Sequence, residues 1–345
     1  MKKVSLMVSK SIQNNEAFNR LNNSNRDNLF EKNISLKEEY FKYNYNCSTN
    51  DINSIQDSLI VLYFDVPKIL PLVDDISKSF LFVIENNLIR PDNHKKEVYK
   101  YFNKVFTLYD DMSDEINFFK INLSFLFPNS INKDLLIKEK LCTLISANKN
   151  SPVKNINELY SERKIAIRWF EKNYPNDFDL YGIGWDKYKF SGPKIIRVFN
   201  RIPLIGKYYA KLTKQNFSSY QGMVDNKKDV MERYKFSICY ENLKDVPGYI
   251  TEKIFDSFFA GCVPIYWGAN NITDYIPKDC FIDKRDFNSY EKLYEFMINM
   301  TDEDYLKYLV NIENYLNSDQ SYPFSVDYYA KKIVDVTLKY TKENL

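Results

Sequence analysis

Histidine is nearly absent from this chain, and its absence excludes several kinds of active site. One of the 345 residues is a histidine, His94. A metal centre built on several histidines therefore cannot form, and a Ser-His-Asp triad would have a single possible base. Because His94 lies in the polar stretch RPDNHKKEV, we interpret it as a surface or loop residue without a catalytic role.

Glycine is also scarce, and its distribution is uneven. All eight glycines lie between Gly182 and Gly268. A glycine-rich loop that cradles a phosphate therefore cannot occur in the first 181 residues. If the chain binds a nucleotide, we expect the binding site in the C-terminal half.

The chain further lacks a disulfide framework, a long apolar run and an excess of one charge. Its five cysteines are scattered without C-x-x-C spacing, which argues against disulfides and a zinc site. No apolar run reaches the about 18 residues of a membrane span, and the start MKKVSLMVSKSIQNN is too polar for a signal peptide. With 48 basic and 46 acidic residues, nothing indicates a nucleic-acid partner. We therefore expect a cytoplasmic protein whose membrane contact, if any, is peripheral.

The apolar runs that are present predict two domains of α/β class. Runs at 3–9, 58–64, 79–84, 103–108 and 141–146 predict strands, and the polar residues 11–35 predict a loop or mobile segment. Helices are predicted at 161–173, with Ser161 as N-cap, at 290–317 and at about 325–342. We predict an N-terminal domain over 1–150, a C-terminal domain over 151–325, and a helix within 326–345 that packs back toward the N-terminal domain.

The segment 234–287 is the most informative part of the sequence. It couples an apolar strand, FSICY, to the pair Glu241-Asn242, and a Pro-Gly turn then leads into a helix that begins near Glu252 and ends at Gly261. A second apolar strand, VPIYW, follows. This is a strand–turn–helix–strand unit with charged groups at the turn, where a parallel sheet binds ligands.

These motifs also carry a family resemblance. FSICYEN, GYITEKIFD and AGCVPIYWG resemble the donor-binding signature of the α1,3/α1,4-fucosyltransferases. The resemblance is strong over 163–287, weaker over 59–122 and faint before residue 50. It implies a GT-B fold, in which two Rossmann-like domains face a cleft. It also implies inverting transfer of L-fucose from GDP-β-L-fucose to an oligosaccharide acceptor. Animal members carry a Golgi anchor that is not found here, which favours a bacterial or viral soluble form.

The reaction that the resemblance implies needs a general base, and Glu85 is our choice. It directly follows a buried strand, so its carboxylate is expected at the carboxyl edge of the sheet, facing the interdomain cleft. Partial burial there would raise its pKa toward a useful value. The context FVIENNLIRPDNH resembles the loop that bears the family's base. Asp65, which follows the strand SLIVLYF, is the rival carboxylate.

The departing diphosphate needs positive charge, which three residues are predicted to supply. Lys253 lies in the first turn of a helix, where backbone N–H groups and the dipole already favour an anion. The resemblance assigns Arg163 to the β-phosphate, and a guanidinium fork fits phosphate oxygens. Lys228 resembles a further lysine near the donor. Neighbouring residues compete for the last two assignments, namely Arg168 and Lys164 with Arg163, and Lys227 with Lys228.

Four other residues are predicted to bind the donor. Glu252 can accept hydrogen bonds from two ribose hydroxyls, Tyr249 could pack on the donor, Asn242 could contact its hydroxyls, and Glu241 could orient the loop. The acidic pairs at 74–75 and 110–111 lack the Asp-x-Asp spacing of a metal-dependent transferase. We therefore predict no required metal, with at most weak stimulation by Mn²⁺ or Mg²⁺.

The sequence leaves the substrates partly open. The family implies an N-acetyllactosamine or Lewis-type acceptor with transfer to O3 of GlcNAc, while O4 of GlcNAc, glucose and other surface-glycan sugars remain alternatives. A donor such as GDP-mannose or a UDP-sugar would fit the same fold. A non-catalytic protein that binds a sugar or a nucleotide is the alternative outside the enzymes, and the intact Glu252-Lys253 pair argues against it.

Overall fold

Two parallel β-sheets form the framework of the molecule. The structure is a computed structural model that describes residues 1–151, 155–188, 190, 193–213 and 216–342. Each sheet has six strands, and the strand pairs within both sheets are parallel. The predicted α/β class with two Rossmann-like domains is confirmed.

The N-terminal sheet has the strand order β2-β1-β3-β4-β5-β6. Its central strands β3 and β4 are nearly continuous apolar runs, as expected for a parallel sheet that is covered on both faces. The sequence predicts four of these strands but misses β2, which reads YNCST, and the three-residue β6. The strands are β1 Lys2–Met7, β2 Tyr45–Thr49, β3 Ile60–Phe64, β4 Ser79–Val83, β5 Lys104–Thr107 and β6 Phe118–Lys120.

The C-terminal sheet has the strand order β12-β11-β10-β7-β8-β9. Its central strand β10 is the FSICY strand of the sequence motif, and it pairs with β11 and β7. The carboxyl ends of β10 and β11 therefore meet at one edge, where the Glu241 turn begins. The strands are β7 Lys140–Ile145, β8 Phe178–Tyr181, β9 Tyr220–Gly222, β10 Tyr234–Tyr240, β11 Val263–Trp267 and β12 Ile282–Asp283.

The sheets place the domain boundary earlier than the predicted position at residue 150. Strand β7 pairs with β10 and β8, so it belongs to the C-terminal sheet. The two sheets therefore separate between β6, which ends at Lys120, and β7, which begins at Lys140. The periodicity of a strand near a junction does not reveal which sheet it joins. Residues 152–154 of the predicted connector and residues 343–345 of the last segment lie outside the described residues.

Helices cover the sheets, and one of them crosses between the domains. The predicted N-cap Ser161 lies inside α2, whose N-cap is Leu159, and the predicted helix at 290–317 is divided into two at Thr301. The helices are α1 Glu31–Lys42, α2 Tyr160–Asn173, α3 Lys194–Arg197, α4 Pro203–Leu212, α5 Lys227–Met231, α6 Glu252–Phe259, α7 Tyr290–Asn299, α8 Asp302–Leu316 and α9 Val326–Lys342.

Helix α9 follows the C-terminal sheet in the chain but packs into the N-terminal domain. Tyr329, Ile333 and Val334 are buried in the same apolar core as β1, β3, β4 and β5. The hydroxyl groups of Tyr40 on α1 and Thr337 on α9 are hydrogen-bonded at 2.7 Å, and both residues are buried. The chain therefore returns to its first domain after completing the second.

Two segments differ from their sequence interpretation. Residues 11–35 contain three short 3-10 turns and the start of α1, so they are more regular than the predicted loop. Residues 192–225, predicted as an irregular basic loop, contain α3, α4 and β9 within their described part. Among the described residues no helix is both long and apolar enough to cross a membrane.

Candidate active site

The predicted base lies on a loop whose backbone is held by a second carboxylate. Glu85 is half-buried beyond the carboxyl end of β4. One carboxylate oxygen of Asp65 accepts hydrogen bonds from the backbone N–H groups of Ile84 (3.3 Å) and Glu85 (3.2 Å). Burial raises the pKa of Glu85, and the negative charge of Asp65 raises it further. Because its oxygen is occupied by this loop, Asp65 is a positioning residue rather than a rival base.

Two further polar side chains hold the backbone carbonyl of Glu85. The side-chain amide of the buried Asn93 donates to this carbonyl (3.3 Å) and to the carboxylate of Asp65 (2.6 Å). The Nε2 atom of His94 lies 3.2 Å from the same carbonyl, and burial lowers the pKa of its imidazole. His94 is therefore a half-buried support of the loop, and not the surface residue that its polar neighbours predict.

The donor loop that follows β10 is organised around a fully buried carboxylate. Glu241 accepts hydrogen bonds from the backbone N–H of Thr251 (2.7 Å) and from its hydroxyl (2.6 Å). The ammonium of Lys253 lies 3.1 Å from Glu241 and 3.2 Å from Glu252. Burial lowers the pKa of Lys253, but the charges of these two carboxylates outweigh burial and leave the pKa above its usual value. Lys253 is therefore a fixed cation at the start of α6.

Arg163 lies at the same edge and is buried without a carboxylate partner. Its guanidinium donates to the backbone carbonyls of Tyr240 (2.6 Å) and Glu241 (2.7 Å) and to the side-chain oxygen of Asn242 (3.0 Å). The residue is 4% exposed, and burial lowers its pKa. None of the ion pairs found among the described residues includes Arg163. Its positive charge is therefore available to an anion at the carboxyl ends of the strands.

Glu252 and a neighbouring lysine occupy the exposed side of the same helix start. The Glu252 side chain is 44% exposed. Burial opposes its ionisation, but Lys253 and Lys227 outweigh burial and lower its pKa to about 2. Glu252 is therefore an ionised carboxylate that remains open to a ligand.

The structure distinguishes between the two adjacent lysines of α5. The ammonium of Lys227 lies 2.7 Å from Asp256 on α6 and 3.5 Å from Asp27 of the N-terminal domain. Lys228 is exposed, and its side chain makes none of the ion pairs found in the described parts of the chain. The lysine beside the site is thus Lys227, the competitor in the sequence interpretation, while Lys228 points elsewhere. Burial raises the pKa of Asp256 to about 6, although Lys227 opposes the shift.

Tyr249 joins the two domains. It is 3% exposed, and its ring stacks on that of Tyr109 from the N-terminal domain, with centroids 5.8 Å apart. Its phenolic oxygen accepts a hydrogen bond from the side-chain amide of Asn86 (2.9 Å), and the amide of Asn242 lies 3.5 Å away. Because Asn86 directly follows Glu85, this contact ties the base loop to the donor loop.

A polar cluster fixes the turn that precedes Tyr249. The carboxylate of Asp110, beyond β5, accepts hydrogen bonds from Asn271 (2.8 Å) and Tyr275 (2.6 Å) and pairs with Lys120 (2.7 Å). Lys120 in turn donates to the backbone carbonyl of Gly248 (3.2 Å). Gly248 has a φ of +73°, and a Cβ atom there would lie 2.2 Å from Asp110. The cluster, which we call the domain clasp, therefore needs glycine at this position.

Two cations near the site were missed by the sequence interpretation. Burial lowers the pKa of Lys32 on α1, while the charges of Asp65 and Glu252 oppose this shift. Lys149, beyond β7, acts on Glu85 by lowering its pKa. Both lysines lie far from the motif in sequence, and only the fold brings them to the cleft. Within the described residues, no group of three or more His, Cys, Asp or Glu side chains could hold a metal ion.

The predicted site residues thus fall into three positions. Arg163, Glu241, Asn242 and Lys253 form one connected set of hydrogen bonds with Glu252 at the carboxyl edge of the C-terminal sheet. Glu85 lies across from this set and within electrostatic range of Glu252 and Lys253. Tyr249 lies between the two loops, and Lys228 lies outside the cluster.

Comparison with known proteins shows which family has this arrangement. Residues 202–327 match the sequence profile of the glycosyltransferase family 10 (fucosyltransferase) C-terminal domain. The chain belongs to glycosyltransferase family 10, the fucosyltransferase family. An α-(1,3)-fucosyltransferase of Helicobacter pylori is 28% identical over 169 residues, which are 46% of this chain and 32% of the relative. An α-(1,4)-fucosyltransferase of Arabidopsis thaliana is 38% identical over 73 residues, 21% of this chain and 18% of the relative. The matched part of this family 10 chain therefore spans a third or less of these relatives.

Solved structures confirm the predicted fold of the family 10 chain. A crystal structure of an α1,3-fucosyltransferase with GDP-fucose superimposes with a TM-score of 0.55 at 16% identity, over 97% of this chain and 90% of that chain. At this identity the likeness establishes the fold, which is GT-B. The cleft between the two sheets is therefore the cleft of a GT-B glycosyltransferase.

Proposed function

We propose that this chain is an inverting α1,3-fucosyltransferase that transfers L-fucose from GDP-β-L-fucose to a glycan hydroxyl. The observation that carries the proposal is the buried guanidinium of Arg163, which lacks a carboxylate partner among the described residues and lies beside Lys253. A buried cation without a counter-ion is costly unless a ligand supplies the negative charge. A nucleoside diphosphate supplies that charge, and the family resemblance narrows the nucleotide sugar to GDP-fucose.

In the proposed reaction, Glu85 takes the proton of the acceptor hydroxyl. The acceptor oxygen attacks C1 of fucose as the bond between C1 and the phosphate oxygen breaks on the opposite face. Arg163 and Lys253 stabilise the charge that develops on the departing diphosphate. Glu252, ionised and open to solvent, accepts hydrogen bonds from the ribose, and Asn242 contacts donor hydroxyls. The raised pKa of Glu85 supports its role as base, because its conjugate acid is weaker than an exposed carboxylic acid.

The donor class is tested by the effect of nucleotides on the unfolding temperature of the full chain. GDP and GDP-fucose should stabilise the protein with or without EDTA, by about 2.7 kcal/mol at a hundredfold excess over Kd. UDP, UDP-galactose and GDP-mannose should stabilise it less. Stabilisation by UDP and not by GDP would replace the proposed donor, and no stabilisation by any nucleotide would refute nucleotide binding.

The base is tested by the substitution Glu85→Gln. We expect turnover of GDP-fucose with an N-acetyllactosamine acceptor to fall by at least about a hundredfold. The affinity for GDP should stay unchanged, because Glu85 does not touch the cations of the donor set. Glu97→Gln, which removes an exposed carboxylate from the same domain, is the matched control. Unchanged turnover in the Glu85 variant would exclude this residue as the base, and an NMR assignment of the anomeric configuration of the product tests inversion.

A further inference from the structure

The segment between β8 and β9 combines exposed apolar side chains with positive charge alone. From Lys187 to Val224 the sequence has eight lysines and arginines and no Asp or Glu, although 46 of the 345 residues are acidic. Exposed charges of one sign over such a length are not needed for folding. They indicate a surface that meets a negatively charged partner.

The outward face of α4 carries a continuous apolar stripe. Leu204, Tyr208 and Leu212 are 78%, 68% and 63% exposed, and their spacing of four residues places them along one side of the helix. Ile195 on α3 is 81% exposed. Single exposed apolar residues are normal on a soluble protein, but a continuous patch marks a place of interaction. We call these four side chains the apolar stripe.

The stripe is not a core face that lost its cover, because the segment has an inner core of its own. The ring of Phe190 lies 5.7 Å from that of Phe199 and 5.3 Å from that of Tyr209, and Tyr188 lies 4.7 Å from Tyr209. The side chain of Asn200 bonds the backbone N–H and carbonyl of Phe190, both at 2.8 Å. The inner aromatic residues therefore hold α3 and α4 together, while the stripe faces outward.

Positive charges border the stripe. Lys207 and Lys211 share α4 with it, and both are exposed, as are Arg197 and Arg201. Lys207 also pairs with Asp186 at 2.9 Å. Lysine and arginine can lay their aliphatic stems along an apolar surface while their charged ends stay in water. Apolar residues bordered by cations are the pattern of a helix that lies in the headgroup region of a bilayer.

We propose that α3 and α4 form a docking surface for an anionic lipid bilayer. The apolar stripe inserts between the headgroups, and the bordering lysines and arginines contact lipid phosphates. The charge pattern favours a lipid over a second copy of the chain, because two such surfaces would repel each other.

The position of the docking surface relates it to the candidate active site. The segment leaves the C-terminal sheet after β8, at the carboxyl edge that also bears Arg163 and Lys253. It is fastened there by the bond from the Gly182 N–H to the Gly222 carbonyl (2.9 Å) and by the bond from the Trp185 indole to the Ser146 carbonyl (2.6 Å). Docking therefore holds the cleft edge of the molecule close to the membrane, where glycans attached to lipids would be within reach.

The proposal is tested by sedimentation of the full chain with vesicles. The protein should sediment with vesicles of phosphatidylcholine and phosphatidylglycerol but much less with phosphatidylcholine alone, and added NaCl should release it. Arg197→Gln with Arg201→Gln should weaken binding about fivefold for each charge removed. A triple variant, Leu204→Ser, Tyr208→Ser and Leu212→Ser, should lose binding at all salt concentrations.

Matched controls separate docking from general exposure or charge. Ile69→Ser with Leu136→Ser removes side chains that are 84% and 93% exposed elsewhere, and Lys95→Gln with Lys96→Gln removes two exposed charges. Both control pairs should bind vesicles like the unmodified chain, and circular dichroism checks that all variants are folded. None of these readouts depends on fucose transfer, so the docking proposal and the proposed function can fail separately.

Three results would overturn the proposal. The first is equal sedimentation of the unmodified chain with neutral and anionic vesicles. The second is vesicle binding by the triple variant at the level of its control. The third is a change of molar mass in the triple variant, by light scattering, which would make the stripe a contact between copies of the chain. A loss of GDP affinity in the triple variant, with vesicle binding retained, would instead assign the segment as a cover of the donor.

Discussion

At the scale of single residues, the site depends on carboxylates that have the same chemistry and different surroundings. Asp65 and Glu85 both follow apolar strands in the sequence, so the sequence alone cannot separate a base from a support. The structure separates them, because the oxygen of Asp65 accepts two backbone N–H bonds of the loop that carries Glu85. The assignment of Lys227 over Lys228 also needs the structure, since adjacent residues on α5 face different directions.

Asp65→Asn tests the electrostatic coupling of the two carboxylates. The asparagine oxygen can still accept the loop hydrogen bonds, so the substitution mainly removes a negative charge. Because that charge raises the pKa of Glu85, the pKa should fall when it is removed. The acidic limb of kcat/KM should therefore move to lower pH, while Asp74→Asn, an exposed charge in the same domain, should leave it in place. A limb that stays in place, or that moves to higher pH, would contradict the coupling.

At the scale of elements, the sequence was informative where apolar runs were long. The runs that became β3, β4, β10 and β11 were visible, as were α2 and α9, because burial on both faces of a parallel sheet leaves a continuous apolar signature. The short strands β6 and β12 were not predicted, because two or three residues carry too little pattern to be recognised. The contact between Asn86 and Tyr249 was also hidden, because it joins residues 163 positions apart.

The Asn86–Tyr249 hydrogen bond gives a prediction about the two loops. Asn86→Ala and Tyr249→Phe should each destabilise the protein by about 1–3 kcal/mol, because each leaves a buried polar group unpaired. The double variant should cost less than the sum, and both single variants should lower kcat more than the affinity for GDP. Urea unfolding and steady-state kinetics measure these effects.

The control and the opposing result concern the phenolic oxygen of Tyr249. Tyr315→Phe removes a buried hydroxyl that has no hydrogen-bond partner, so it should cost less than Tyr249→Phe. If Tyr249 contacts the donor directly, then Tyr249→Phe alone would weaken GDP binding, and the effects of the two substitutions on stability would add. That outcome would restore the role that the sequence predicts for Tyr249.

At the scale of the whole molecule, the domain clasp around Asp110 sets how the two domains meet. Gly248→Ala should destabilise the protein by more than about 2 kcal/mol, because alanine is strained at positive φ and its Cβ would collide with Asp110 and Lys120. Gly184→Ala is the matched control, since φ there is +87° but no atom lies closer than 3.8 Å to the added carbon. Urea unfolding of the two variants gives the difference. Equal costs would mean that the clasp yields without loss, and that it does not fix the domains.

The path of α9 has a consequence for how the chain folds during synthesis. The apolar core of the N-terminal domain includes Tyr329, Ile333 and Val334, so that core cannot close until the ribosome has released residues made after the entire C-terminal sheet. The second domain can complete its own core first, while β1, β3 and β4 wait with an uncovered face. A nascent chain halted before residue 326 should therefore be bound by chaperones at its N-terminal half, and protease resistance should appear there last.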